Sequence, residues 1–284
     1  MITNTTTSFE TKQRAYAELE RRRAQYASEA DYFKALAEER AAEYNAEAGE
    51  LEGLNCEMCK NKGYFWEVVK SYNYGSYDIE RNDCICLNER RMLAARKASG
   101  LAELPQHYSF EAYTTECHRK KKVKDSAVAF LNDNGKCFFI GGKSGTGKTH
   151  ICTAMCKVLL ARGKKTHYML WQDEAVRLNA VVNEKEYGPA ISKLQSVEVL
   201  YIDDFLKPVA GSVPSAAQVM RAFEIINARY NIGLVTIISS ERSITKIIDI
   251  DEALGSRIVE MAGKYSFNTD KMENYRLKGK EKLT

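Results

Sequence analysis

The chain has 284 residues, 44% of them hydrophobic and 28% charged, with a formal net charge of +4. This length suffices for one large domain with an appendage or for two modest domains, and the composition excludes wholesale disorder. No apolar run is long enough to cross a bilayer and the first thirty residues are polar and charged, so the sequence reads as cytoplasmic with no membrane partner, while the small positive charge neither demands nor opposes a nucleic-acid partner.

Residues 1–50 form an N-terminal helical region: from residue 9 no proline or glycine occurs before Gly49, and Ala, Glu and Arg dominate, which predicts a long helix. Tyr16, Leu19, Tyr26, Phe33 and Tyr44 fall near heptad spacing, but Arg23 and Arg40 interrupt the seam. The stripe therefore either packs within a helical hairpin or docks on another protein. Residues 51–87 turn rich in Cys, Gly, Tyr and Asn. Cys56-x-x-Cys59, twenty-four residues, then Cys84-x-Cys86 supply four soft ligands in two close pairs, a set suited to tetrahedral zinc. Between the pairs, GYFWEVV and YDIERND straddle Asn73-Tyr74-Gly75-Ser76, so a β-hairpin would bring the second pair back to the first. Four thiolates close the coordination shell, which makes the metal structural. Cys117, Cys137, Cys152 and Cys156 lie in apolar settings and are read as packing residues. A linker spans residues 88–103, with a short charged helix over Asn88–Ala98.

From Leu104 to the end of the chain, short β-branched or aromatic runs alternate with longer amphipathic stretches, which predicts an α/β domain with a parallel five-stranded sheet. The expected strands are Cys137–Ile140, Thr166–Trp171, Val197–Ile202, Leu234–Ser239 and Lys264–Phe267. After the first of these comes Gly142-Lys143-Ser144-Gly145-Thr146-Gly147-Lys148-Thr149, a match to G-x-x-x-x-G-K-[ST] placed between a strand and a helix. Such a loop turns its N–H groups toward phosphates, and the helix behind it adds a positive end. Together with His150 these residues form the expected ATP-binding segment, Lys148 pairing with the β- and γ-phosphates and Thr149 holding Mg²⁺. About fifty residues on, Val199-Leu200-Tyr201-Ile202-Asp203-Asp204 is an apolar strand ending in two carboxylates. Asp203 would hold Mg²⁺ and Asp204 would orient the attacking water, with less reach than the more common Glu. The strand Leu234–Ile238 ends in Ser239-Ser240-Glu241, where Ser240 is the candidate sensor of the γ-phosphate. In Gly255-Ser256-Arg257, Arg257 could reach the nucleotide of an adjacent subunit as an arginine finger.

This order of motifs resembles the AAA+ ATPases, specifically the replicative-helicase loaders of the DnaC and DnaI type. Shared details are the lead-in Pro105-Gln106-His107-Tyr108-Ser109-Phe110-Glu111-Ala112-Tyr113, the strand VTIISSE, and Asn274-Tyr275-Arg276-Leu277-Lys278. The resemblance implies that Arg276 contacts nucleotide as a sensor. It also implies that residues 1 to about 100, zinc module included, grip a hexameric DnaB-like replicative helicase, and that the ATPase modules associate side by side on single-stranded DNA. Only 27 residues follow Arg257, too few for the helical lid of most AAA+ proteins.

The run His118-Arg119-Lys120-Lys121-Lys122-Val123-Lys124 is the densest positive patch; without interleaved aromatics it reads as a solvated face rather than a DNA track. The function expected is therefore ATP-dependent loading of the replicative helicase in replication initiation. Two alternatives stand beside it. A transposition helper ATPase of the IstB type has a similar core but no counterpart to the cysteine module, and an ATP-switched adaptor that hydrolyses little would fit the short Asp204.

Overall fold

The computed structural model describes residues 6–71, 76–207 and 213–275, and the chain divides into two compact units, residues 1–93 and 94–284. In the first unit, the helical region expected over residues 1–50 is two helices, α1 (Thr6–Arg23) and α2 (Glu29–Ala46), and not one rod, the two forms between which the sequence left the choice open. The break has a local cause. Ser28 is extended (φ −147°) and its Oγ accepts the Asp31 N–H at 3.2 Å, which starts a new helix without glycine or proline. Arg22–Glu39 at 3.0 Å and Arg23–Glu29 at 2.7 Å link the two helices through exposed pairs. Each such pair contributes at most about 1 kcal/mol.

The strands β1 (Tyr64–Lys70) and β2 (Tyr77–Asp83) pair antiparallel from Tyr64↔Asp83 to Lys70↔Tyr77, the hairpin expected from the sequence on either side of residues 73–76. Of the expected turn, Asn73, Tyr74 and Gly75 lie outside the described residues. The end of α2 is tied to β1 through Asn45, whose side chain donates to Trp66 O at 2.8 Å and accepts from Trp66 N at 2.9 Å. Helix α3 (Cys86–Ala98) then carries the chain into the second unit.

That unit runs α4 (His118–Asn132), β3 (Cys137–Gly141), α5 (Lys148–Ala161), β4 (Thr166–Leu170), α6 (Trp171–Ala180), α7 (Tyr187–Ser196), β5 (Val199–Asp203), α8 (Ala216–Ile232), β6 (Val235–Ser240), α9 (Ile244–Ile250), α10 (Glu252–Ala262) and β7 (Ser266–Asn268). The sheet is five-stranded and parallel, in the order β4-β5-β6-β3-β7. Most strand ends shift by one or two residues from expectation, and two of the shifts have a visible local reason. Trp171 opens α6 instead of closing β4, because its ring is buried against Phe205 at 5.1 Å and 70°. Lys264 lies in a 3₁₀ turn over Gly263–Tyr265, which delays β7 to Ser266.

The strands are apolar on both sides, as a sheet covered by helices requires. One layer gathers Phe139, Leu200, Ile202 and Ile238 with Trp171, Leu178, Ile225 and Ile258; the other gathers Phe138, Ile140, Tyr201 and Ile237 with Phe130, Ile151 and Met155. At the strands' N-terminal end, the fully buried Arg229 donates to Thr236 Oγ1, Leu194 O, Val197 O and Val235 O at 2.6–2.9 Å. Burial brings its pKa down to about 10. The other end, where β3, β5 and β6 stop, carries the candidate site. Among the described residues, no helix is long and apolar enough to cross a membrane.

Candidate nucleotide site and cysteine cluster

The loop after β3 must turn sharply back into α5, and it does so through Gly142 (φ 116°), Gly145 (φ 73°) and Gly147 (φ 92°), backbone conformations that residues with a Cβ rarely adopt. At Gly145 a Cβ would also collide with the Asn274 side chain. The chain beyond β7 braces this loop: Thr269 N–H donates to Gly141 O at 2.8 Å, Lys143 N–H to Asp270 Oδ1 at 3.0 Å, and Tyr275 N–H to Gly145 O at 3.0 Å. Lys148 is buried, and its ammonium rests on the carbonyls of Gly142 and Lys143 at 2.8 and 2.9 Å. Burial lowers its pKa, while Glu241, Asp204 and Asp203 pull it back up.

Strand β5 delivers the acidic pair. Thr149 Oγ1 donates to Asp203 Oδ1 at 3.2 Å across 54 residues of sequence. Burial pushes the Asp203 carboxyl up from the ordinary carboxylate range, and a hydrogen bond from Ser239 opposes the shift. Asp204 sits in the left-handed region (φ 53°), which Asp tolerates better than most residues. Its N–H donates to Ser239 Oγ at 3.3 Å and its Oδ2 accepts from Lys207 Nζ at 2.8 Å.

The serine that meets the acidic pair is thus Ser239, one position before the Ser240 expected from the sequence. Ser240 is fully buried; its hydroxyl donates to Phe205 O at 2.6 Å and accepts from Arg242 N at 3.0 Å. The alternation of a strand decides between the two, and sequence alone gives no register. Glu241, the next residue, is the one that reaches the cavity.

The cavity, about 360 Å³, is lined by Ser144, Gly145, Lys148 and Thr149 of the loop and by Asp204, Lys207 and Glu241. Its remaining wall is aromatic and basic. His150 stacks on Tyr108 at 4.7 Å and 17°, meets Tyr113 edge-on at 5.3 Å, and is 2.8 Å from Ser109 O through Nε2. Lys157 of α5 holds this lead-in segment by donating to the carbonyls of Gln106 and Tyr108, each at 2.8 Å.

Lys120 also lines the cavity. It was expected on a solvated basic face, but it is only 4% exposed, donates to Thr114 Oγ1 at 3.2 Å and lies 3.1 Å from the centre of the Tyr275 ring. The sequence does carry the signal. Lys120, Val123, Ala127 and Phe130 follow helical spacing on the buried face of α4, so Lys120 shares the apolar stripe and not the charged one.

Arg257 does not line this cavity. Its Nε donates to Asn227 Oδ1 at 2.8 Å, its Nη1 to Ala253 O at 2.8 Å, and its guanidinium lies 4.9 Å from the Phe223 ring. Arg276 lies outside the described residues.

In the first unit, the four cysteines meet. All four sulfurs lie within 4.8 Å of one another, with Cys56–Cys84 at 3.7 Å and Cys59–Cys86 at 3.5 Å. Ligands about 2.3 Å from one tetrahedral ion would be about 3.8 Å apart, so the set fits a metal centre. The first pair sits on a turn through Lys60 (φ 47°) and Asn61 (φ 65°), and Cys84 N–H donates to Gly63 O at 2.8 Å to close the hairpin on it. Arg90 clamps the loop by donating to Leu51 O at 2.8 Å, Leu54 O at 2.6 Å and Asn61 Oδ1 at 2.8 Å.

With this geometry in view, the family model described as IstB-like ATP binding protein matches residues 81–282. The chain belongs to the IstB-like ATP-binding proteins. Among similar proteins, the IstB-like chain is 32% identical over 215 residues to the uncharacterized protein YqaM of Bacillus subtilis, covering 70% of this chain and 68% of YqaM. It is 27% identical over 221 residues to the phage-like element PBSX protein XkdC of the same organism, covering 70% and 81%. Over 114 residues it is 31% identical to the replicative helicase loader DnaC of Escherichia coli, spanning 37% of this chain and under half (45%) of DnaC. The crystal structure of the DnaC helicase loader overlays 58% of this chain and 98% of that one, with a TM-score of 0.49 and 19% identity.

Proposed function

We propose that this IstB-like ATPase loads the hexameric replicative helicase onto single-stranded DNA, using ATP as a switch. The reading rests on one combination: Thr149 paired with Asp203 beside a cavity of about 360 Å³ lined by the phosphate loop, in a chain 31% identical over 114 residues to the loader DnaC.

In this reading the N–H groups of Gly145 to Thr149 hold the β-phosphate, and Lys148 exchanges its two carbonyl partners for phosphate oxygens. Thr149 and Asp203 would hold magnesium, which supplies positive charge to the β- and γ-oxygens. Ser239 fixes the Asp203 carboxylate, and Asp204 orients water for attack on the γ-phosphorus and takes its proton. Arg257 completes the site of a neighbouring subunit, which requires that it leave Asn227, and Arg276 senses the nucleotide from within its own chain. The cysteine cluster holds zinc as a structural ion. Residues 1–50 with the cysteine module, 51–87, dock on the helicase, 88–103 link, and 104–284 associate side by side on DNA. ATP favours the assembled state only to the extent that it binds that state more tightly.

The test mixes the full chain with its host's hexameric helicase and measures mass by size-exclusion chromatography with light scattering, with and without ATP. A complex that forms, and that weakens as ATP is hydrolysed, supports loading. No complex under any condition overturns it and leaves the transposition helper as the better reading.

A further inference from the structure

We infer that Lys207 is a further residue of the nucleotide site, whose ammonium bridges Asp204 and Glu241 and thereby sets the site's preference for a nucleoside triphosphate over a diphosphate. This deepens the ATPase reading above and rests on it.

The placement of Lys207 follows from the turn after β5. Asp204 and Leu206 both take left-handed backbone (φ 53° and 49°), and Phe205 and Leu206 are buried. Phe205 N–H donates to Ser239 O at 2.8 Å, Lys207 N–H to Asp204 O at 3.0 Å, and Arg242 Nε to Leu206 O at 2.7 Å. The turn is thereby tied to the end of β6, and Lys207 returns into the cavity. Its Nζ lies 2.8 Å from Asp204 Oδ2 and 3.2 Å from Glu241 Oε1.

The electrostatic need for such a cation is specific to this arrangement. Asp204 and Glu241 place two carboxylates on the cavity, and Asp203, bonded to Thr149, adds a third negative group next to it. Lys148 serves the phosphates from the loop, and Lys207 is the cation that contacts both Asp204 and Glu241. Without Lys207, Asp204 and Glu241 would lose their paired cation and repel the γ-phosphate more strongly, over and above what Lys148 and magnesium offset. A diphosphate ends one group earlier and feels far less of this. Lys207 is therefore a positioning residue: it neutralises and holds the two acids without entering the reacting bonds. The side chains of Lys207, Asp204 and Glu241 remain 30%, 25% and 24% exposed, so solvent screens the effect to a moderate size.

Calorimetric titration of the full chain with MgATP and MgADP tests this. K207M should weaken ATP binding by about ten-fold and ADP binding by less than about three-fold, since one neighbouring charge at partial exposure is worth roughly that ratio. K207R should stay near the parent chain. E241Q, which removes one of the two acids while leaving Lys207 on Asp204, should act in the opposite sense and tighten ATP several-fold, with ADP unchanged, and combining it with K207M should restore much of the loss. The inference is overturned if E241Q and K207M move ATP and ADP equally, or move neither; E241Q decides even where K207M lowers folding yield. A parent chain that binds neither nucleotide would instead sink the ATPase reading itself.

Discussion

In residues 94–284, Phe138, Phe139, Ile140, Tyr201 and Ile202 are all at most 1% exposed and helices cover both faces of the sheet, whereas in residues 1–93 the deepest side chains, with Ala37, are Cys59, Cys84 and Cys86. The larger unit has enough apolar surface to fold by burial. The smaller has a two-stranded ribbon, which is marginal alone, and four sulfurs that converge within 4.8 Å. The contrast teaches that the two units have different sources of stability at hand: one the area removed from water, the other four thiols whose spacing fits an ion. Each carries one of the chain's two tryptophans, Trp66 in the first and Trp171 in the second. W66F and W171F variants therefore let fluorescence read the units one at a time.

The largest expected effect is metal removal. Chelation, or C59A, should withdraw roughly 10–16 kcal/mol of binding free energy if the ion is structural zinc, and should abolish the folded signal of Trp66 while the Trp171 melting curve stays put. A Trp66 signal indifferent to chelator would break the comparison. Next, F139A empties a fully buried site in the sheet and should cost the larger unit about 3–5 kcal/mol, read as an earlier Trp171 transition. K148A should lower ATP turnover by about a hundred-fold or more, equivalent to at least ~2.7 kcal/mol, with both fluorescence transitions near those of the parent. The smallest effect concerns α8. Its cap Ser215 accepts from Gln218 N–H at 3.3 Å while Gln218 returns a bond to the Ser215 N–H at 3.0 Å, so S215A should cost about 1 kcal/mol, seen only at Trp171.

The readable features of this chain were those whose residues lie close together in sequence. Eight consecutive residues with strand before and helix after identify the phosphate loop, and two tight cysteine pairs around a ribbon pattern identify the four sulfurs that converge. Boundaries were less legible. The capping serine Ser28 splits a stretch whose composition reads as one helix, because a single side-chain hydrogen bond at a helix start outweighs small differences in helix propensity. Which serine reaches Asp203 was not legible either, since strand register depends on how β6 pairs with β3 and β5.

Sequence alone therefore determined the family of the fold, the five apolar runs that become the sheet, the phosphate loop and the cysteine pairs, because each is a local pattern with a local physical reason. Tertiary structure decided the rest. Lys120 beside Tyr275, Lys207 between Asp204 and Glu241, and Arg257 on Asn227 all owe their partners to how separate helices and turns pack. A charged side chain acquires its role from the groups burial and topology bring within a few ångströms of it, and those groups are not written next to it in the chain.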